Sequence, residues 1–326
     1  MRYLARRLGF YLVTAWAALT INFALPRLMP GSPVAAALDK LQGTVSPGVV
    51  NALRAQFGIN NHASLLAQYG HYWAQLAHGD LGVSTSEYPV RVTTIIAHTL
   101  PWTVALVGIA SVISFVLGTL IGILIAWRRG SKLEALLPAA TFLSAIPYFW
   151  LALVLVTVFG VGLHWVPFLG GYGQGLSVGF NAAFIRSAIT HGILPGITIV
   201  VASIAGWMVG MRNMMVTTLG EDYVMVAQAK GLPTRRVALT YAARNAILPN
   251  LAGFALQLGF VVAGSLLTEI IFSYPGIGTT LLNAVNNDDY PLMQGIFLVI
   301  TLVVLVANFA ADLLYVLLDP RTRQEA

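Results

Sequence analysis

The stretch GEDYVMVAQAKGLPTRRVALTYAARNAILPN, residues 220–250, is polar and basic, yet long apolar runs precede and follow it. We expect a short helix over Tyr223–Lys230, ended by Gly231, because glycine readily takes the left-handed conformation that closes a helix. Pro233 is a typical first helical residue, which predicts a second helix running to about Ala246. The stretch therefore predicts two helices joined by a tight turn.

Small side chains mark the end of the first predicted helix. Ala227 and Ala229 keep it thin, and a thin, short helix can dock closely in a groove on another protein. If it continued rigidly into the flanking apolar helices, it would act as a lever. An ordinary loop that caps two helices is an equally good interpretation of these residues alone.

Composition indicates a chain that is solvated mostly by lipid. It has 326 residues, of which 57% are hydrophobic and 9% charged, whereas soluble domains carry about 25% charged residues. The absence of cysteine excludes a disulfide framework and thiolate chemistry. The formal net charge of +6 would suit a nucleic-acid partner, but the distribution of basic residues indicates a membrane and no nucleic acid.

Six uncharged runs predict six transmembrane helices, because roughly 20 apolar residues cross the hydrocarbon core of a bilayer. The runs are Leu8–Leu25, Trp102–Trp127, Ala135–Leu163, Gly192–Met211, Ala246–Thr268 and Gly295–Ala311. An even number of spans places both termini on one side. Thirteen of the eighteen Lys and Arg residues lie on that side, which the positive-inside bias assigns to the cytoplasm.

The spans divide the chain into four parts. They are 1–30 (N-terminus and first span), 31–99 (an external helical subdomain), 100–319 (the other spans, with the polar loop 218–246) and 320–326 (a cytoplasmic tail). In the external subdomain, Ser46 and Pro47 predict a helix start. Apolar and aromatic side chains recur at helical spacing from Leu65 to Leu76, and Gly79 ends that helix.

The residues indicate no energy source within this chain. A nucleotide-driven pump needs the loop G-x-x-x-x-G-K-[ST], but Lys40, Lys132 and Lys230 are followed by Leu, Leu and Gly. Ion-coupled transporters keep ionisable groups deep in the membrane, and the middles of the six runs carry none. His71 and His78 lack a third metal ligand. We therefore expect no catalytic, cofactor or metal site, with an autonomous secondary transporter as the alternative of another class.

The polar stretch resembles the EAA coupling loop of ABC importer permeases, in the form that the dipeptide/oligopeptide permease family uses. That form is D-Y-x-x-x-A-x-A-K-G-L followed by R-N-A-x-x-P. It is matched here by Asp222, Tyr223, Ala227, Ala229, Lys230, Gly231 and Leu232, and then by Arg244, Asn245, Ala246 and Pro249. Met225 stands roughly where other members carry the glutamate that names the motif.

Further motifs extend the resemblance over nearly the whole chain. They are YLARRLGFYLV, LMPGSPV, QYGHYWAQLAHGDLGVS, LSAIPYFWLAL, TEIIFSYPGIG and DLLYVLLDPRTR. One such motif would be weak. Six in the family's order identify the chain as a member of that family.

The resemblance implies an all-α polytopic membrane protein with six transmembrane helices, in the type I ABC importer permease fold. The small helical external subdomain would lie between helices 1 and 2. It implies four kinds of partner, in a bacterial cytoplasmic membrane: the lipid bilayer, a second homologous permease subunit, two ATP-binding subunits that hold ATP and Mg, and an external substrate-binding protein. The residues implied to couple to the ATPases are Asp222, Tyr223, Ala227, Ala229, Lys230, Gly231, Leu232 and Arg235.

Candidates for the translocation pathway are fewer. A kink near Ser144 and Pro147 could line the pathway, and packing is an equally good explanation. Glu269, with Pro275 in the same motif, could gate the outer mouth, whereas capping of a helix end is the alternative that we favour. The runs carry no ring of charge, and the resemblance implies peptides as cargo first, oligosaccharides next and nickel last.

Overall fold

The computed structural model describes residues 2–28, 64–259 and 266–318. Within these ranges the chain is helical apart from turns, loops and one isolated antiparallel bridge, which confirms the all-α prediction. The first elements are α1 (Arg2–Leu28), α2 (Leu65–Ala77), α3 (Val92–Trp127), a 3₁₀ turn (Lys132–Ala135), α4 (Leu136–Ala145), α5 (Tyr148–Leu155), a first π-helix (Val156–Gly162) and α6 (Ala182–Leu219). The later elements are α7 (Asp222–Ala229), α8 (Thr234–Arg236), a second π-helix (Val237–Ala243), α9 (Arg244–Gly259), α10 (Leu266–Ile271), α11 (Ile277–Asn286) and α12 (Tyr290–Leu318).

Three helices in the described part of the chain are long and apolar enough to cross a membrane, namely α3, α6 and residues Tyr290–Leu313 of α12. They contain the predicted second, fourth and sixth spans. The first predicted span falls on α1, which continues through Pro26 to Leu28. The fifth falls on α9 and α10. Residues 260–265, the helix start predicted at Ser46 and the predicted tail lie outside the described residues, and the count of six spans stays a prediction.

The predicted third span is bent sharply. The 3₁₀ turn with α4, and α5 with the first π-helix, meet at an angle of 95°. Ile146 is extended, with φ −73° and ψ 127°, because the residue before a proline is driven out of the helical region. Pro147 then precedes the first turn of α5. The run expected as one span is therefore two helices, and the kink expected near Pro147 is confirmed.

Two compact units make up the chain. The first holds the described residues up to Trp102 together with Pro275–Leu305, and the second holds Thr103–Tyr274 together with the described residues from 306 onward. Both α3 and α12 contribute one end to each unit.

In the first unit, α1 contacts α2 and the start of α12 through polar groups on otherwise apolar helices. The Nδ2 of Asn22 donates to the backbone oxygen of Gln294 at 3.0 Å, and the Nε2 of Gln294 donates to the backbone oxygen of Asn22 at 2.9 Å. The hydroxyls of Thr20 and Tyr69 lie 2.7 Å apart. Because α2 ends at Ala77 and Gly79 has φ +69°, the predicted end of that helix is confirmed.

In the second unit, α3 and α6 come into backbone contact at two glycines spaced four residues apart. A Cβ atom on Gly122 would lie 2.6 Å from the backbone oxygen of Met208, and one on Gly118 would lie 2.7 Å from the Cβ of Trp207. Small residues at this spacing let helices approach closely in a membrane. The ring of Phe115 also lies edge-on to the Trp207 ring, with centroids 5.2 Å apart. The α3–α6 pair is thus packed backbone to backbone.

Replacement of Gly122 by valine should prevent this packing, because a backbone oxygen cannot move aside as a flexible side chain can. Overpacking of this kind lowers the stability of the folded protein by about 1–3 kcal/mol. We therefore expect the yield of monodisperse protein in mild detergent to fall several-fold. Gly108→Val on the same helix is the matched control, since nothing lies within 4 Å of its added Cβ. Equal yields for the two variants would contradict the close α3–α6 contact.

Candidate functional site

The candidate site is the predicted helix–turn–helix, and backbone hydrogen bonds close its turn. α7 ends at Ala229, and Gly231 has φ +71°. The N–H of Gly231 donates to the backbone oxygen of Gln228 at 2.9 Å, and the N–H of Leu232 donates to that of Ala227 at 3.4 Å. These two bonds form a Schellman motif, the helix ending that glycine favours. The turn predicted at Gly231 is confirmed.

One face of α7 is buried within the chain itself. Val224 has no exposed surface, Ala227 is 3% exposed, and both pack against Val237 of the second π-helix. The partly buried side chains around them are Trp127, Leu219, Leu232 and Tyr241. Ala227, predicted for docking, therefore faces the chain's own core. Its small size allows α7 to lie close to the second π-helix.

The opposite face of α7 is exposed, and it is partly apolar. Met225 and Val226 are 50% and 52% exposed. Sequence reasoning missed both residues as contact candidates. The spacing of Val224 and Ala227 could have identified them, because two apolar residues three positions apart mark the inner face of a helix. The predicted coupling residues at exposed positions are Asp222, Tyr223, Ala229, Lys230, Gly231 and Arg235.

The second predicted helix continues directly into the next apolar segment. α8, the second π-helix and α9 follow one another from Thr234 to Gly259, so the helix does not end near Ala246 as predicted. Ala242 and Ala246 pack against Met211 and Met215 of α6. Displacement of α7 would therefore be passed to α6 and α9, because closely packed helices move together.

The four predicted pathway residues fall in different places. Ser144 is half-buried and donates its hydroxyl to the backbone oxygen of Thr141 in the same helix, at 3.0 Å. Pro147 is exposed at the break between α4 and α5. Glu269 lies in α10 of the second unit, whereas Pro275 belongs to the first unit.

Glu269 is fully buried. Its Oε1 accepts a hydrogen bond from the Thr103 hydroxyl at 2.7 Å, and its backbone oxygen accepts one from the Tyr274 N–H at 2.8 Å. A buried carboxylate requires a donor such as the Thr103 hydroxyl, since an unpaired charge is costly to remove from water. In this conformation Glu269 ties α10 to α3 and has no surface open to cargo.

A second buried carboxylate holds the segment between α2 and α3. Asp289 has no exposed surface and accepts hydrogen bonds from the hydroxyls of Ser84 and Ser86, the latter at 2.6 Å, and from the Ser86 N–H at 3.0 Å. The N–H of Leu292 donates to its other oxygen at 3.2 Å. Burial alone would raise the pKa of Asp289, but these hydrogen bonds to the charged form hold its pKa below the ordinary value.

Long apolar helices, a sharply bent helix pair and an exposed helix–turn–helix define a multi-pass α-helical membrane protein. Residues 118–324 match the family described as "binding-protein-dependent transport system inner membrane component". The chain belongs to this family, and it is a membrane permease component of a binding-protein-dependent importer.

Relatives align with the chain over nearly its full length. A di/tripeptide transport system permease protein of Pseudomonas aeruginosa is 36% identical and covers 100% of this chain and 99% of its own. A dipeptide transport system permease protein of Escherichia coli is 32% identical with the same coverage. An oligopeptide transport system permease protein of Bacillus subtilis is 31% identical over 92% of each chain.

Replacement of Gly231 by valine should abolish transport while leaving membrane insertion unchanged. A non-glycine residue in the left-handed conformation costs about 1–2 kcal/mol, and a β-branched one more, so the Schellman turn would open. Uptake by cells that express the variant measures transport, and the amount of protein in the membrane measures insertion.

Two companion variants test the cause. Gly220→Ala should be harmless, since Gly220 has φ −86° and its added Cβ would lie 3.5 Å from the nearest atom. Gly231→Asn should keep part of the activity, because asparagine tolerates the left-handed region. Full transport by Gly231→Val would mean that the turn conformation is not needed.

Replacement of Asp289 by asparagine should destabilise the first unit at neutral pH. Hydrogen bonds to a charged group contribute about 1.5–3 kcal/mol, and the amide accepts them less well. The pKa of Asp289 is lower in the folded protein than in the unfolded chain. The stabilisation is therefore fully present above the unfolded pKa, near 4, and is lost as the pH falls below about 4 through the folded pKa. Thermal unfolding in detergent at pH 7 and over a descending series of pH values below about 4 measures both effects.

The neighbouring exposed carboxylate provides the control for this substitution. Asp288→Asn should leave the unfolding midpoint at pH 7 unchanged, because Asp288 is exposed. Identical midpoints for wild type and Asp289→Asn at pH 7 would show that the buried hydrogen bonds do not stabilise the unit.

Proposed function

We propose that this chain forms half of the translocation pathway of an ATP-driven importer of dipeptides or oligopeptides. A second homologous permease forms the other half. Two ATP-binding subunits, identical or different, bind ATP and Mg and carry out hydrolysis on the cytoplasmic side. An external substrate-binding protein delivers the peptide, and both termini of this chain lie in the cytoplasm.

The observation that carries this proposal is the construction of α7. Its inner face is buried against the second π-helix, and its outer face exposes Met225, Val226 and Ala229. An exposed apolar surface on a polar segment is typical of a contact with another protein. The packing of α7 on the second π-helix, which continues into α9, supports transmission of movement from that partner to the membrane helices.

The distribution of charge supports the orientation. Under the predicted topology, α7 lies on the side that holds thirteen of the eighteen basic residues, which is the cytoplasmic side. ATP is available on that side. The exposed basic side chains of Lys230 and Arg235 would face acidic groups of the ATP-binding subunit.

The cargo is proposed from the relatives, whose names specify di/tripeptides, dipeptides and oligopeptides. The identity of 30–36% over almost the whole chain supports a shared class of cargo. Oligosaccharides and nickel are the other cargoes that the same machinery could carry, and the experiment below separates them.

Capture of the tagged full-length chain from its host in mild detergent tests the assembly. We expect a second permease and two copies of ATP-binding protein to be captured with it, and the complex in liposomes to import di- and tripeptides only when ATP is supplied. Import of oligosaccharides or nickel instead would replace the proposed cargo. A chain that is captured alone and moves solute without ATP would establish the autonomous transporter.

The docking face gives a sharper prediction with a matched control. Val226→Asp should reduce capture of the ATP-binding subunits at least about tenfold. Burial of an apolar side chain in an interface stabilises the complex by about 1.5–3 kcal/mol, and removal of a charged group from water costs more. Val285→Asp makes the same change at a valine of similar exposure, 43% against 52%, in α11, and should leave capture intact. Equal capture by both variants would exclude Val226 from the interface.

A further inference from the structure

A hydrogen bond joins the two ends of the candidate site. The side-chain amide of Asn245 donates from Nδ2 to the hydroxyl of Tyr223 at 3.0 Å, and also lies 3.3 Å from the backbone oxygen of Tyr241. Tyr223 is the second residue of α7, and Asn245 is the second residue of α9. The bond therefore connects the exposed helix directly to the helix that continues into the next apolar segment.

The second π-helix places Asn245 in this position. Successive residues of an α-helix are separated by about 100° around its axis, so the wider π turn rotates every later side chain relative to an uninterrupted α-helix. π-helical turns occur frequently at functional sites. Here the π turn lies between the buried contact at Val237 and the hydrogen bond at Asn245.

The buried packing of α7 on the second π-helix and the Tyr223–Asn245 hydrogen bond constrain different movements of α7. Packing of Val224 and Ala227 on Val237 holds α7 at a fixed distance from the second π-helix. Tyr223, which is 40% exposed, lies beside that buried face. Because its hydroxyl is held by Asn245, the hydrogen bond resists rotation of α7 about its own axis. Packing alone resists such rotation weakly, because hydrophobic contact is non-directional.

We propose that Tyr223 and Asn245 are positioning residues for energy coupling: their hydrogen bond locks the rotation of α7, so that movement of an ATP-binding subunit is passed to α9 and not lost in rotation of α7. This inference rests on the proposed function. The pair is exposed to solvent in this chain, so the bond adds little to folding. When a partner covers α7, the hydrogen bond is shielded from water, and it is stronger there because the local dielectric is lower.

The test is the number of ATP molecules hydrolysed per peptide imported by the complete complex in liposomes. Tyr223→Phe removes the hydroxyl, and Asn245→Leu removes the donor at similar volume. Each variant should raise this ratio about two- to tenfold, the factor that corresponds to one hydrogen bond. The double variant should resemble either single variant, since both remove the same bond. Capture of the ATP-binding subunits by Asn245→Leu should stay at the wild-type level.

Tyr241→Phe is the matched control. It removes a tyrosine hydroxyl from the same segment, while the contact with Asn245 uses the backbone oxygen of Tyr241, so its ratio should equal that of wild type. Wild-type ratios in Tyr223→Phe and Asn245→Leu, or effects that add in the double variant, would overturn the inference.

Failure of the proposed function is recognised separately in the same experiment. If the wild-type complex hydrolyses ATP and imports a different cargo, the cargo assignment is wrong, and the ratio is measured with that cargo. If the wild-type chain captures no ATP-binding subunit, the proposed function and this inference are both overturned.

Discussion

Inside hydrocarbon, every backbone N–H and C=O must find a hydrogen-bond partner within the protein, because no water is available. Long helices meet this requirement, and the apolar runs of this chain form them. Two breaks among the described residues show how the backbone stays satisfied. At the bend, the N–H of Ile146 donates to the backbone oxygen of Leu143, and Pro147 has no N–H to leave unpaired. In the polar stretch, the turn at Gly231 closes its helix with two backbone bonds.

Two buried carboxylates obey the same constraint. Glu269 is held by the Thr103 hydroxyl, and Asp289 is surrounded by two serine hydroxyls and two backbone N–H groups. Each carboxylate joins elements that are far apart along the chain. A buried carboxylate that would be costly if it were alone thus connects α10 to α3 in the second unit, and the segment between α2 and α3 to the start of α12 in the first.

Small residues determine how movement can travel through the second unit. Glycines at 118 and 122 bring α3 against α6. Ala227 packs α7 on Val237 of the second π-helix, and Ala242 packs that π-helix on Met211 and Met215 of α6. Tight packing of this kind transmits displacement rather than absorbing it. The exposed face of α7 is thereby connected through packed side chains to α6, one of the helices long enough to cross the membrane.

The amino-acid sequence by itself determined the membrane class, the helical fold, the family, the kink near Pro147 and the glycine turn after α7. These features depend on composition and on local backbone preferences, and both can be read from residues that are close together in the sequence. Only the tertiary structure decided that Ala227 points inward, that Val226 is exposed and that Asn245 contacts Tyr223. It also decided the burial of Asp289, whose serine partners lie more than 200 positions away, because such contacts depend on how separate helices pack and not on any local pattern.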